Sequence, residues 1–139
     1  QFKDEYNKAV VNLLYTHSYL VGFQTSVLKP QDLSPEQYNV LRTLRGQQGK
    51  PATISAIQER MLNTMSNASR LVDKLKAKEL VKRDECPENR RKVDVLITDK
   101  GLRLLELLEP QISALNKKVI HLEESELVLL NGLLDKLRG

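Results

Sequence analysis

The sequence predicts a mainly α-helical fold with a small β wing, a winged helix-turn-helix held between flanking dimerisation helices. Three observations lead there. Apolar residues recur at steps of three and four through most of the chain, the period of amphipathic helices. A stretch of β-branched alternation follows directly on two short helices. Basic charge is concentrated in that same middle region: Arg42 to Arg103 holds fifteen basic and eight acidic residues, whereas the two flanks together hold seven and ten. A basic middle on a near-neutral scaffold suits an anion-binding module, with an ordinary solvated surface as the alternative.

Composition narrows the partners. With 139 residues, 40% of them apolar, and a net charge of +4, the chain can bury a core of its own. No apolar run approaches the ~18 residues that span a bilayer, so no membrane partner is expected. One cysteine, Cys86, cannot build a disulfide framework, which fits a reducing cytoplasm. The chain begins at Gln1 rather than Met, which leaves open a targeting segment ahead of it. The aromatic residues are Phe2, Tyr6, Tyr15, Tyr19, Phe23 and Tyr38, and none lies in the basic middle. Readers of single strands and of most RNA stack bases on aromatic platforms, so those partners are disfavoured and duplex DNA stays open.

The elements follow in order. Phe2, Tyr6, Ala9, Val10, Leu13, Leu14, Leu20 and Val21 mark a helix from Phe2 to about Leu28, closed by Pro30. Ser34, Pro35 and Gln37 then make a helix start, with Ser34 as cap, proline at the first position and Gln37 three past the cap. That helix carries Tyr38, Val40, Leu41 and Leu44 and stops near Gly46. Thr53 can cap a short helix from Ile54 to about Met61. After a break at Leu62-Asn63-Thr64, Thr64 can cap a second helix from Met65 to about Lys78. Ala68, Leu71, Val72 and Leu75 form its buried stripe, and Ser66, Asn67, Arg70, Asp73 and Lys74 fall on the opposite face. Two short helices with a tight turn between them read as a helix-turn-helix. Strands at Leu80–Arg83 and Lys92–Ile97, joined by a polar loop from Asp84 to Arg91, add the wing.

Beyond Gly101 the last 39 residues include thirteen leucines. Leu104, Leu108, Ile112, Leu115, Val119 and Leu122 stripe one long helix, which Pro110 should kink. The last helix, from about Glu124, has a stripe at Leu127, Leu130, Leu134 and Leu137, widened by Leu129 and Leu133. A helix apolar over so much of its surface needs partners on two sides, within the chain or in a symmetric homodimer. The expected division is 1–33 for an N-terminal dimerisation helix, 34–100 for the winged lobe and 101–139 for C-terminal dimerisation helices.

Asn63 to Leu75, Leu80-Val81-Lys82-Arg83, Asn89-Arg90-Arg91, Ile97-Thr98-Asp99-Lys100-Gly101 and the Leu33-to-Tyr38 helix start together resemble the MarR-type transcriptional regulators. The resemblance implies a bacterial or archaeal homodimeric winged-helix repressor or activator whose terminal helices form the dimer domain. It also implies small anionic or phenolic effectors, or a response to oxidants. Two positions depart from that pattern. Asn89 stands where Asp is common and cannot neutralise Arg91, and Glu79 stands where Gly is favoured at the turn before the wing, which demands a different turn or a strained one.

Ser66, Asn67 and Arg70, on the first two turns of the second helix, are candidates to read base edges, since Arg matches guanine and Asn matches adenine. Lys74 continues that face. Arg90, Arg91 and Lys92 are wing candidates for phosphates or the minor groove; Thr53, Thr64 and Arg42 are weaker candidates for phosphates. His17 reads as a core or interface histidine or as a ligand contact. Tyr15, Tyr19 and Phe23 recur every four residues, either packing or lining an effector pocket where the dimer helices meet the DNA-binding lobe. Acidic neighbours of Cys86 argue against a reactive thiol. His121, Glu123 and Glu124 are too sparse for a metal site. No cofactor or catalytic activity is expected, because no phosphate loop, nucleophile beside a base or placed carboxylate pair occurs.

The expectation is a homodimer that binds a near-palindromic duplex operator, responds to a small-molecule effector and represses or activates transcription. The rivals are a winged helix used for protein contact and an effector-binding protein without DNA binding.

Overall fold

The computed structural model describes Gln1, residues 3–86 and residues 89–139, with the side chains of 85–93 outside the description. Among the described residues the chain runs α1 (Glu5–Leu28), a 3-10 turn (Lys29–Gln31), α2 (Pro35–Arg45), β1 (Ala52–Thr53), α3 (Ile54–Glu59), α4 (Ala68–Ala77), β2 (Val81–Cys86), β3 (Asn89–Ile97), α5 (Asp99–Val119) and α6 (Glu124–Arg138). It is a helical protein with one small antiparallel sheet of order β1-β3-β2.

Side-chain caps set most of the helix starts. Asp4 accepts the Asn7 N–H at 2.8 Å, so α1 begins at Glu5 rather than at Phe2; Phe2 lies outside the described residues. Ser34 and Gln37 form the expected reciprocal capping box of α2, with Pro35 at the first helical position. Gln37 is buried yet satisfied, since its carboxamide oxygen accepts from Ser34 N–H at 3.2 Å and from Lys78 Nζ at 3.0 Å. Thr53 caps α3 and Thr98 caps α5, each through its side-chain oxygen at 3.1 Å.

The wing is longer than the sequence suggested. Its strands pair from Val81↔Ile97 past Asp84↔Asp94, with an irregularity between Glu85 and Cys86. Arg90 and Arg91, expected in the loop spanning 84–91, therefore lie within β3 with Lys92, in the irregular stretch between the pairs Glu85↔Val93 and Cys86↔Asn89. The short β1, which the sequence did not reveal, adds Ala52↔Val95 and Thr53↔Asp94.

One continuous core takes residues from every helix but α6, and from the sheet: Leu28 of α1, Val40, Leu41 and Leu44 of α2, Ile57 of α3, Val72 and Leu75 of α4, Val95 of β3, and Leu105 and Leu108 of α5. The first half of α5 is thus built into the winged lobe. α5 runs on through Pro110 and ends at Val119, where Ile120 turns extended. Leu122 consequently leaves the stripe it was expected to continue. Between α4 and β2, Glu79 adopts a left-handed conformation with φ +62°, which costs of order 1–2 kcal/mol in a residue with a β-carbon. Thr98 Oγ1 donates to its carbonyl at 2.8 Å and helps hold it there.

The outer helices are the reverse of the core. α1 buries only Leu28, while Val10, Leu13, Leu14 and Leu20 face outward; α6 buries nothing fully and exposes Leu129, Leu133 and Leu137. Among the described residues no helix is long and apolar enough to cross a membrane.

Candidate nucleic-acid interface

The α3–α4 unit is a helix-turn-helix whose turn is held by side-chain amides rather than by a backbone ladder. Gln58 donates from Nε2 to the Ser66 carbonyl at 2.7 Å and accepts the Ala68 N–H on Oε1 at 2.9 Å. Asn63 Oδ1 accepts the Met65 N–H at 3.0 Å, and Asn39 of α2 accepts the Leu62 N–H at 2.9 Å. Two large apolar side chains on this turn stand in the open, Leu62 at 86% exposure and Met65 at 89%.

These bonds move the start of the recognition helix. It was expected to run from Met65 with Thr64 as cap. It begins at Ala68 with Asn67 as cap, whose Oδ1 accepts the Arg70 N–H at 3.1 Å. The reason is tertiary: the Gln58 clasp and the Asn63 turn take backbone groups that a helix through 65–67 would need. Ser66 and Asn67 therefore precede the helix instead of lying on its first turns. The Ser66 hydroxyl oxygen is buried without a partner among the described residues. Asn67 Oδ1 accepts one bond in the cap, which leaves its NH2 donors and one lone pair of that oxygen. Arg70 and Lys74 remain, both exposed, on the first and second turns of α4. Thr64 is exposed on the turn, and Thr53 Oγ1 accepts the Ala56 N–H in capping α3, a role that leaves its O–H as a donor.

The wing is tied to α4. Arg83 of β2 forms an ion pair with Asp73, placed one turn beyond Arg70 on α4. Asp73 is exposed on the face where the sequence placed it, and through this pair it also links the recognition helix to the wing. Arg90, Arg91 and Lys92 belong to β3, and their side chains, like that of Cys86, lie outside the description.

A cavity of about 380 Å³ opens behind the turn. Its walls come from α1 (His17, Val21, Gln24), from α2 (Tyr38, Asn39, Arg42) and from Met61 to Thr64 of the turn itself. His17 thus faces a cavity rather than a core. Tyr15 is 74% exposed elsewhere on α1. Tyr19 stacks edge-on to Phe23 with centroids 4.8 Å apart, its hydroxyl 3.4 Å from the Val119 carbonyl, and so packs rather than lining this cavity. Burial pushes the Tyr38 phenol above its ordinary value, and the Arg42 guanidinium lies 5.9 Å from its ring centroid. One turn on, Arg45 pairs with Glu109 of α5. The hydrogen bond from Arg45 holds the Glu109 carboxyl below the usual range and raises Arg45 in return. Among the described residues no group of three or more His, Cys, Asp or Glu side chains could hold a metal ion.

The sequence profile of the MarR family matches residues 33–93, from α2 through most of the wing. The crystal structure of a MarR transcription factor from Planctomyces limnophilus is 32% identical, covering 97% of this chain and 98% of its own, with a TM-score of 0.74. The chain belongs to the MarR family. Bordetella bronchiseptica BpsR, whose DNA binding is regulated by 6-hydroxynicotinic acid, shares the fold at 24% identity over 94% of this chain and 99% of its own, with a TM-score of 0.81. The transcriptional repressor MprA of Escherichia coli (strain K12) is 27% identical over 105 residues, 75% of this chain but only 60% of the repressor's length.

Several residues that shape this MarR-family lobe carried no signal in the sequence. Gln58, Asn39, Asp73 and Arg83 act through partners 8 to 23 residues away, and no periodicity reports a contact of that kind. Glu79 did carry a signal: a residue with a β-carbon where the MarR pattern favours glycine, found in the left-handed conformation that makes glycine the easier choice.

Proposed function

We propose that the protein is a homodimeric regulator that binds duplex DNA in the cytoplasm, with α4 in the major groove and the wing beside it. The observation that carries this reading is the exposed basic edge of α4, Arg70 and Lys74, braced to a wing through Asp73 and Arg83. Arg70 offers a bidentate donor pair to guanine, and Lys74 a point charge to phosphate. Arg90, Arg91 and Lys92 add charge along the wing, where each phosphate neutralised releases counterions.

The outward apolar faces of α1 and α6 support the dimer, since exposed faces of this extent on two terminal helices match one another across a two-fold axis. Two α4 helices then address half-sites about 34–36 Å apart on a near-palindrome, or a small multiple of that spacing. A small-molecule effector in the cavity at His17, Tyr38 and Arg42 regulates binding, to the extent that it prefers one arrangement of the lobes over another. The Escherichia coli relative is a repressor, so repression is the expected sign.

Fluorescence anisotropy on labelled duplexes over a salt series tests the reading. It expects sub-micromolar binding to a preferred sequence, weaker binding to random duplex, and log–log salt slopes of several units. No duplex binding at low salt overturns it in favour of a protein-contact module.

A further inference from the structure

The cavity and the DNA-facing turn share a wall, and one side chain joins them. Asn39 lines the cavity from α2, and its Oδ1 accepts the Leu62 N–H at 2.9 Å. Among the described residues, that is the sole hydrogen bond reaching the segment from Arg60 to Asn67 from outside the helix-turn-helix; the bonds from Gln58 and Asn63 are internal to it. Apolar anchoring of the segment is slight, because Leu62 and Met65 are open and only Met61 is buried. The ends of the turn are carried by α3 and α4, which pack on α2, while at its middle the anchoring comes down to Met61 and this one bond.

We propose that Asn39 is the positioning residue through which occupancy of the cavity is transmitted to the DNA-reading turn. This rests on the reading that α3–α4 binds duplex DNA, and it adds a local relay to any change in lobe spacing. An occupant that donates a hydrogen bond to Asn39 Oδ1, through a hydroxyl, amide or ammonium group, competes with the Leu62 N–H for that oxygen. The Leu62 bond weakens, and Thr64, which lines the cavity on one side and is exposed beside α4, moves with the turn. One net hydrogen bond corresponds to about 2- to 12-fold in an equilibrium, which overlaps the lower part of the usual range of allosteric coupling. By reciprocity, bound DNA disfavours the occupant by the same factor.

A substitution can stand in for the occupant. Val21→Trp projects an indole from α1 into the cavity and offers its N–H as the donor. Wild type, Val21→Trp, Asn39→Ala and the double variant form a cycle, read by amide hydrogen exchange at Leu62 in the free protein and by affinity for one selected duplex. Asn39→Ala is expected to lower protection of the Leu62 amide several-fold and to weaken DNA binding about 2- to 12-fold. Val21→Trp should do the same, and the double variant should be no weaker than the stronger single one. Asn39→Asp, which keeps the acceptor, should restore Leu62 protection. Gln24→Trp, which also carries an indole N–H, provides a second donor-bearing variant if Val21→Trp lowers the melting temperature.

Unchanged Leu62 exchange in Asn39→Ala overturns the relay, as does a double variant whose loss of affinity is the product of the single losses. The exchange measurement needs no DNA. A wild-type protein that binds no duplex would therefore sink the proposed function, while Leu62 exchange still decides whether Asn39 holds the turn.

Discussion

Gly101 is the third residue of α5 and sits inside the root of the wing. A β-carbon at that position would lie 2.5 Å from the Leu80 carbonyl oxygen and 2.7 Å from Ile97 Cγ1. The nearer atom is backbone and cannot rotate away. The same oxygen accepts the Thr98 N–H at 3.1 Å, and Thr98 Oγ1 caps α5 by accepting the Gly101 N–H at 3.1 Å. Gly101→Ala must therefore push the start of α5 away from β2 and β3 and strain both bonds. Overpacking of this kind costs about 1–3 kcal/mol, and a weakened hydrogen bond adds about 0.5–1.5 kcal/mol. The helix preference of alanine over glycine returns about 1 kcal/mol. The expected net loss is about 2 kcal/mol, or about 8 °C in Tm at about 4 °C per kcal/mol for a chain of this size. Urea denaturation should show a lower midpoint with an unchanged slope, the mark of altered stability rather than of altered compactness. DNA affinity should fall as well, since the wing moves relative to α4. A midpoint equal to or above that of wild type would refute the close packing of α5 on the wing root.

Three further outcomes are expected. Arg70→Ala should cost about 1–3 kcal/mol on the preferred operator and little on random duplex; equal losses on both would reassign Arg70 to phosphate. Leu129→Asp with Leu133→Asp alters side chains that are open in the single chain, so sedimentation should show a folded or partly folded monomer in place of a dimer, and an unchanged dimer would place the interface elsewhere. Glu109 is held below its ordinary carboxylate value by Arg45, so the pair stabilises the fold above the unfolded-state pKa, and the effect is lost as pH falls through the folded-state one. Glu109→Gln should then be less stable than wild type at neutral pH by about 0.5–1 kcal/mol, the range for a solvent-screened pair. That gap should close in acid, and a gap that is constant from pH 7 to pH 3 would contradict the pairing.

Local signals in the sequence read correctly where several of them coincided within one turn. Ser34, Pro35 and Gln37 placed α2 to the residue, and Pro30 and Gly46 marked where α1 and α2 stop. The α4 start was misread because Thr64 followed by Met65 satisfies the same rule, while the groups that overrule it, Gln58 and Asn63, act through tertiary and turn contacts. The two-residue β1 exists only because β3, some forty residues later, offers Val95 and Asp94 as partners. On the candidate interface, the residue types proposed to face DNA were legible as a basic helix edge. Which of them also serve as helix caps was legible for Thr53 but not for Asn67, which caps α4 in place of Thr64. His17 was legible as unusual on an apolar helix, and its cavity was not, because the opposite wall is the helix-turn-helix turn.

Selection of duplexes from a random pool by the wild-type protein, at fixed physiological salt, tests the central claim most directly. A homodimer that reads DNA through two α4 helices is expected to enrich a near-palindrome whose half-sites lie about one helical turn apart, or a small multiple of that, and to lose the enrichment when Arg70 is replaced by Ala. Recovery of all sequences alike, or an enriched motif without two-fold symmetry, would contradict it.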